Sequence, residues 1–184
     1  QFYWPDTNAL VTRFLAPSGV GEIIDYMPVQ EESAGPNHQL IRHVYCVRGR
    51  LSFTAYCRPA FDYARQSHRI DANGKRVLFQ TDVLDLALLG TEDLSIENSA
   101  VRAEFTLSQG ETATFVLLEP ESGVALGDID PRTLHERHFQ RTIDYWQRWI
   151  SHCTYSGRWR ETVFRSALLL KLLTFNPTGA IVAA

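Results

Sequence analysis

The chain has 184 residues, 45% of them hydrophobic and 21% charged, with a formal net charge of −3. Such usage is ordinary for a globular protein of one domain, or one and a fragment; it excludes a disordered tail, a collagen-like chain and a cysteine-dense miniprotein. No apolar run approaches the roughly 18 residues of a membrane span, and a mildly acidic chain is a poor general binder of nucleic acid, so neither is expected as a partner.

The charge is unevenly divided. Residues 1–128 hold 10 Lys and Arg against 17 Asp and Glu, whereas residues 129–184 hold 8 against 4. The first stretch alternates over short distances and the second has a helical period. The basic helical stretch suits a phosphate or an acidic neighbour, or is simply a solvated face.

In chain order, Leu10–Leu15 is an extended apolar run stopped by Pro17-Ser18-Gly19, and Val20–Val29 alternates. A loop is expected over Gln30–Asn37. Two strands then flank Arg48-Gly49-Arg50. With Gly49 and Arg50 as central turn residues they form a hairpin in which Cys46 opposes Phe53 and Arg42 opposes Cys57. One face carries Leu40, Val44, Cys46, Leu51, Phe53, Ala55 and Cys57; the other carries His43, Tyr45, Thr54 and Tyr56. Such two-faced alternation predicts an antiparallel sheet covered on at least one side. Further strands are expected at Ser67–Ile70, Arg76–Gln80, Leu84–Leu89, Val101–Leu107 and Thr112–Leu118, with Asn73-Gly74 the strongest hairpin signal and turns at Gly90, Asn98-Ser99 and Gln109-Gly110-Glu111. About nine short strands at close spacing predict a mainly β chain, an antiparallel β-sandwich.

At Asp130-Pro131 the period changes: Asp130 suits an N-cap and Pro131 the first helical position. Phe139, Ile143, Trp146, Trp149 or Ile150, and Cys153 make the stripe of one helix. A second is expected from about Arg158 to Thr174, ending before Asn176-Pro177. Its later half, Ala167–Phe175, is apolar nearly all round, broken only by Lys171 and Thr174. At about 1.5–3 kcal/mol for each Leu or Phe taken out of water, such a helix needs cover that one preceding helix cannot provide. With an apolar stop at Gly179–Ala184 and no initiator Met, both ends are expected to be cuts in a longer protein.

Chemistry is sparse. In the hairpin register Cys46 and Cys57 lie about 13 Å apart, too far for a disulfide, which fits a reducing, cytoplasmic compartment. Zinc spacing is missing: His135-x₂-His138 lacks a third ligand, and the two read as surface histidines. No Gly-x-Ser-x-Gly and no phosphate loop beyond a lone Gly19-Val20-Gly21 is present, so no cofactor is expected. Asp6, Asp25 and Asp62 each neighbour aromatics, as a sugar site would have them, or as strand-end aspartates beside core rings would. Asp144 and Glu161 read as surface charges.

Several segments together carry a resemblance. Tyr155-Ser-Gly157-Arg-Trp159-Arg-Glu161, Arg165-Ser-Ala-Leu168, Leu170-Lys-Leu-Leu173 and Pro177–Ala184 resemble bacterial glycoside hydrolase family 15, the glucoamylase-like and trehalase-like enzymes. So do Tyr3-Trp-Pro-Asp-Thr-Asn8, Gly21–Pro28, Val47-Arg-Gly49 and Arg58-Pro-Ala-Phe-Asp-Tyr63. The resemblance implies a β-sandwich over 1–128, short of its first strands, a linker helix over 129–156, and over 157–184 the first helix of an (α/α)₆ barrel whose remainder is absent. It implies hydrolysis of an α-glucosidic bond with inversion, by two glutamates lying beyond this sequence, so no catalytic residue is assigned here. Trp4 and Tyr63 are candidates for a sugar-stacking wall; the alternative for each is a packed ring. The expected partners are the missing barrel, or another copy through residues 158–174, and an α-glucan or disaccharide. A stand-alone carbohydrate-binding or structural module is the rival reading.

Overall fold

Two-residue alternation becomes ten antiparallel strands in a computed structural model, which describes residues 1–29, 38–120, 125–175 and 177–182. They are β1 (Phe2–Tyr3), β2 (Leu10–Ala16), β3 (Gly19–Tyr26), β4 (Gln39–Cys57), β5 (Arg69–Asn73), β6 (Arg76–Gln80), β7 (Leu86–Gly90), β8 (Ser95–Glu97), β9 (Ala100–Ser108) and β10 (Thr112–Leu118). The helices α1 (Pro131–Ile150) and α2 (Arg160–Leu172) follow. The large sheet has the order β1-β2-β3-β4-β10-β7-β6-β5; the second half of β4 leaves it to pair with β9, which pairs with β8. The chain is therefore mainly β, a sandwich followed by helices. The loop expected at Gln30–Asn37 lies outside the described residues.

The hairpin expected at Arg48-Gly49-Arg50 does not form. β4 runs straight through as 19 residues, its first half paired with β3 and β10 and its second with β9. Gly49 takes φ +77°, and a methyl there would collide with the Ser18 carbonyl oxygen. Its conformational freedom is thus used to turn one strand out of one sheet and into the other, at a point where another backbone passes too close for any side chain. Cys46 and Cys57 lie on one strand instead of facing arms, and all three cysteines are free. The facing survives the change of topology: Val44, Cys46 and Leu51 lie in the core between the sheets, with Phe53, Ala55 and Cys57 packed against it.

Two predicted turns form with the backbone their residues favour. Asn98 and Ser99, both at positive φ, join β8 to β9, and Gly74, at φ +59°, opens the two-residue turn between β5 and β6.

The outer face of the large sheet is covered by α1. Asp130 caps it, accepting from Thr133 N at 2.9 Å, and Pro131 sits at its start. Ile143 joins Val11, Ile24, Tyr26, Ile41, Val116 and Leu118 in a second core. A third joins Trp146 and Ile150 to Phe164 and Leu168 of α2. Small sheet, large sheet and α1 therefore stack in that order, and α2 packs against the later turns of α1 on the face that also meets the large sheet.

Candidate functional site

The two predicted sugar-facing aromatics stand in different surroundings. Trp4 belongs to the core under α1: its ring meets Phe139 edge-on at 5.3 Å. The Tyr3–Asn8 segment around it acts as a clasp. Thr7 folds it, its Oγ1 donating to Trp4 O at 2.9 Å and accepting from Ala9 N at 3.1 Å. Both helices then attach to it. Gln147 of α1 donates to Pro5 O at 3.2 Å. Arg165 of α2 donates to Thr7 O at 2.7 Å and to Asn8 Oδ1, and lies over the Tyr3 ring. Asn8 Nδ2 donates to Leu168 O at 3.0 Å, and Arg160 approaches Asp6 at 3.6 Å. Residues of two separate motifs, Tyr3–Asn8 and Arg165–Leu168, thus form one joint.

Tyr63 sits at the tip of the turn after β4. Asp62, Tyr63 and Ala64 take φ of 46°, 57° and 66°, three left-handed residues in succession. For non-glycine residues that geometry costs about 1–2 kcal/mol each. Arg65 offsets some of this cost, donating to Asp62 O at 3.0 Å and Asp62 Oδ1 at 2.7 Å and lying 5.6 Å from the Tyr63 ring. Beneath it Phe61 is buried in the inter-sheet core against His68. The result is a braced turn that holds Tyr63 89% exposed.

The aspartates are spent on arginines: Asp25 accepts from Arg42 Nε and Nη2 at 2.7 and 3.0 Å, Asp62 from Arg65, and Asp6 neighbours Arg160. Asp144 accepts from Gln140 at 2.7 Å on the exposed side of α1, and Glu161 lies exposed in the first turn of α2. Among the described residues no group of three or more His, Cys, Asp or Glu is placed to hold a metal, and no helix is long and apolar enough to cross a membrane.

His135 corrects an expectation. It is no surface residue: its ring stacks on His43 of β4 at 3.8 Å and 2°. Tyr26 Oη meets its Nδ1 at 3.1 Å, while His43 Nδ1 meets Thr114 Oγ1 at 3.0 Å. Burial pushes both imidazoles down to about 4; for His43 the charges of His135 and Arg132 add to it. His138 is also lowered by burial, then by Arg137 and Arg141. A four-residue helical repeat on α1 cannot reveal a partner on β4, so only the fold brings the two rings together.

The second helix is shorter than expected but as poorly covered as its composition implies. Only Phe164 and Leu168 are buried. Leu169, Leu170, Leu172, Leu173 and Phe175 are exposed, Leu170 by 52% and Phe175 by 53%, and Ile181 and Val182 are exposed too.

No family model matches the chain. Individual proteins do. A trehalase of Thermoplasma acidophilum is 32% identical over 198 residues, covering all of this chain and 31% of that protein. A trehalase of Thermoplasma volcanium is 31% identical, covering all of this chain and 29% of its own length. A trehalase of Mycolicibacterium smegmatis is 34% identical over 158 residues, 80% of this chain and 23% of that one. The chain spans less than a third of these relatives. Among solved structures, a putative kojibiose phosphorylase from human microbiome superposes with a TM-score of 0.44 at 14% identity, over 77% of this chain and 22% of that one, too loose a fit to argue from.

Proposed function

This chain is a homologue of trehalases, and from that premise we propose that it is the N-terminal, non-catalytic section of an inverting glycosidase of the glucoamylase- and trehalase-type family 15. The parent cleaves α-glucosidic bonds; this section supports its barrel and is inactive alone. The sandwich carries α1 as a linker, and α2 is the first helix of the barrel. The observation that carries the reading is the bare side of α2. Leu169, Leu170 and Leu172 of α2 and, just beyond it, Leu173, Phe175, Ile181 and Val182 are half-exposed, and covering all seven is worth on the order of 5–10 kcal/mol. Homology along the whole chain to proteins more than three times as long supplies a reason for such a face: it meets further helices. The Tyr3–Asn8 clasp sets the angle at which α2 leaves the sandwich.

Hydrolysis by inversion needs an acid and a base with carboxyls about 6.5–9.5 Å apart. The aspartates beside aromatics here are bound to arginines instead. The test is complementation. The 184-residue chain should release no glucose from trehalose or maltose, and should restore turnover when mixed with the remainder of a homologous trehalase. Turnover by the pure chain refutes the reading.

A second reading, a stand-alone carbohydrate-binding module, is favoured by one observation, the exposed Tyr63 on its braced turn. Titration with maltose or trehalose separates the two: saturable binding lost in Tyr63→Ala supports the module, and no binding supports the scaffold.

A further inference from the structure

Between the two sheets, at the end where β4 finishes, lies a cavity of about 130 Å³. The pairing of β4 with β9 explains it. Along the inward face of the small sheet the cross-strand pairs run Phe53–Phe105, Ala55–Ala103 and Cys57–Val101. The phenyl rings of the first pair stack at 5.5 Å and fill the space opposite them. One step on, about 7 Å along the strands, two methyl groups stand where two rings stood. The large sheet does not move in to compensate: Leu88, Phe115 and Leu117 line the far wall. Leu40, 43% exposed, lies on the rim.

The polar groups of this space are few. Arg42 lines it, but its Nε and Nη2 bind both carboxylate oxygens of Asp25, so its charge is already balanced; Tyr56 lines it too, but is 56% exposed and lies at its open side. Cys57 contributes a half-buried thiol. A charged ligand would find no unpaired counter-ion, and a sugar would leave most of its hydroxyls without partners, at a cost for each buried polar group. An enclosed apolar cavity of similar size, about 150 Å³, is known to admit benzene; this one shares its apolar lining and opens to solvent beside Leu40 and Tyr56.

We propose that the inter-sheet cavity beside Ala55 and Ala103 is a binding site for one small, neutral, apolar molecule of about benzene size. It is independent of the glycosidase reading and of the bare face of α2.

Cys57 reports on occupancy, because it lines the cavity while Cys153 lies in the α1–α2 core. Benzene at about ten times its Kd should slow alkylation of Cys57 by iodoacetamide about tenfold, read by peptide mass spectrometry, and leave Cys153 unchanged. The same concentration should raise Tm by about 3–5 °C. Ala103→Leu puts a side chain into the space, and in that variant benzene should neither protect Cys57 nor move Tm. Unchanged alkylation of Cys57 in the native chain overturns the proposal, as does protection that persists in Ala103→Leu. If Ala103→Leu fails to fold, Ala55→Leu fills the same space from the neighbouring strand, and Cys57 protection in the native chain decides on its own.

Discussion

Single residues carry the joints of this molecule. Gly49 combines φ +77° with a backbone passing where a Cβ would stand, whereas Gly74, at φ +59°, faces open space. Gly74→Ala should therefore cost only backbone strain, about 1 kcal/mol. Gly49→Ala must also push neighbouring strands apart and should cost at least twice as much, lowering Tm by about 4 °C or more; thermal melts of the two variants compare them directly. The His43–His135 stack sets an acid limit. An unfolded histidine takes up its proton near pH 6.5, but these two resist until about pH 4. Between those values the unfolded chain binds more protons, so stability is full above about pH 6.5 and falls as pH drops toward 4. Partial exposure makes the loss smaller than the full shift implies. Replacing both rings, His43→Phe with His135→Phe, should flatten that slope in urea titrations across the window.

At the scale of elements, α2 is held by polar bonds as well as by burial. Two of its residues are buried, while Arg165 alone makes two hydrogen bonds and a ring contact to the Tyr3–Asn8 clasp. Hydrogen bonds to a charged group are worth about 1.5–3 kcal/mol each, less where water competes. Arg165→Ala should thus loosen α2 locally. Amide exchange within α2 should quicken about ten- to a hundredfold, with the strands of the large sheet unaffected. Equal acceleration everywhere would mean that the clasp supports the sandwich itself. The motifs that carry the family resemblance have a related logic. Val47–Gly49 contains the sheet crossing, Gly21–Pro28 supplies Asp25 and Tyr26, Arg58–Tyr63 leads into the left-handed turn, and Tyr3–Asn8 meets Arg165. These are places where backbone or charge is constrained.

For the whole molecule, the exposed apolar side of α2 governs behaviour in solution. The 184-residue chain should self-associate through it. Leu169→Lys should reduce that association in sedimentation runs without lowering the Tm of the sandwich, because Leu169 is 48% exposed and lies outside the buried pair Phe164 and Leu168. A chain that is monomeric before the substitution counts against a docking role for this face. One face of α1 meets the large sheet through Ile143 and, further along, α2 through Trp146 and Ile150; only Phe164 and Leu168 of α2 are buried there, and among the described residues no further helix follows.

Local chemistry was readable in advance wherever a residue acts on its neighbours in the chain. β6 and β10 match their expected bounds, Asp130 caps α1, Asn98-Ser99 and Asn73-Gly74 turn, and the greasy half of α2 was evident from composition. A period of two or 3.6 and a capping side chain are decided within a few residues, so one strand of letters records them. What joins distant segments was not readable. Arg-Gly-Arg has the letters of a hairpin, and only the passage of Ser18 and Gly19 across Gly49 turns it into a bend in one strand. The same holds for His43 on His135, for Arg165 on Asn8, and for the emptiness beside Ala55 and Ala103. Each depends on which surfaces the assembled layers bring within a few ångströms, and sequence separation does not encode that distance.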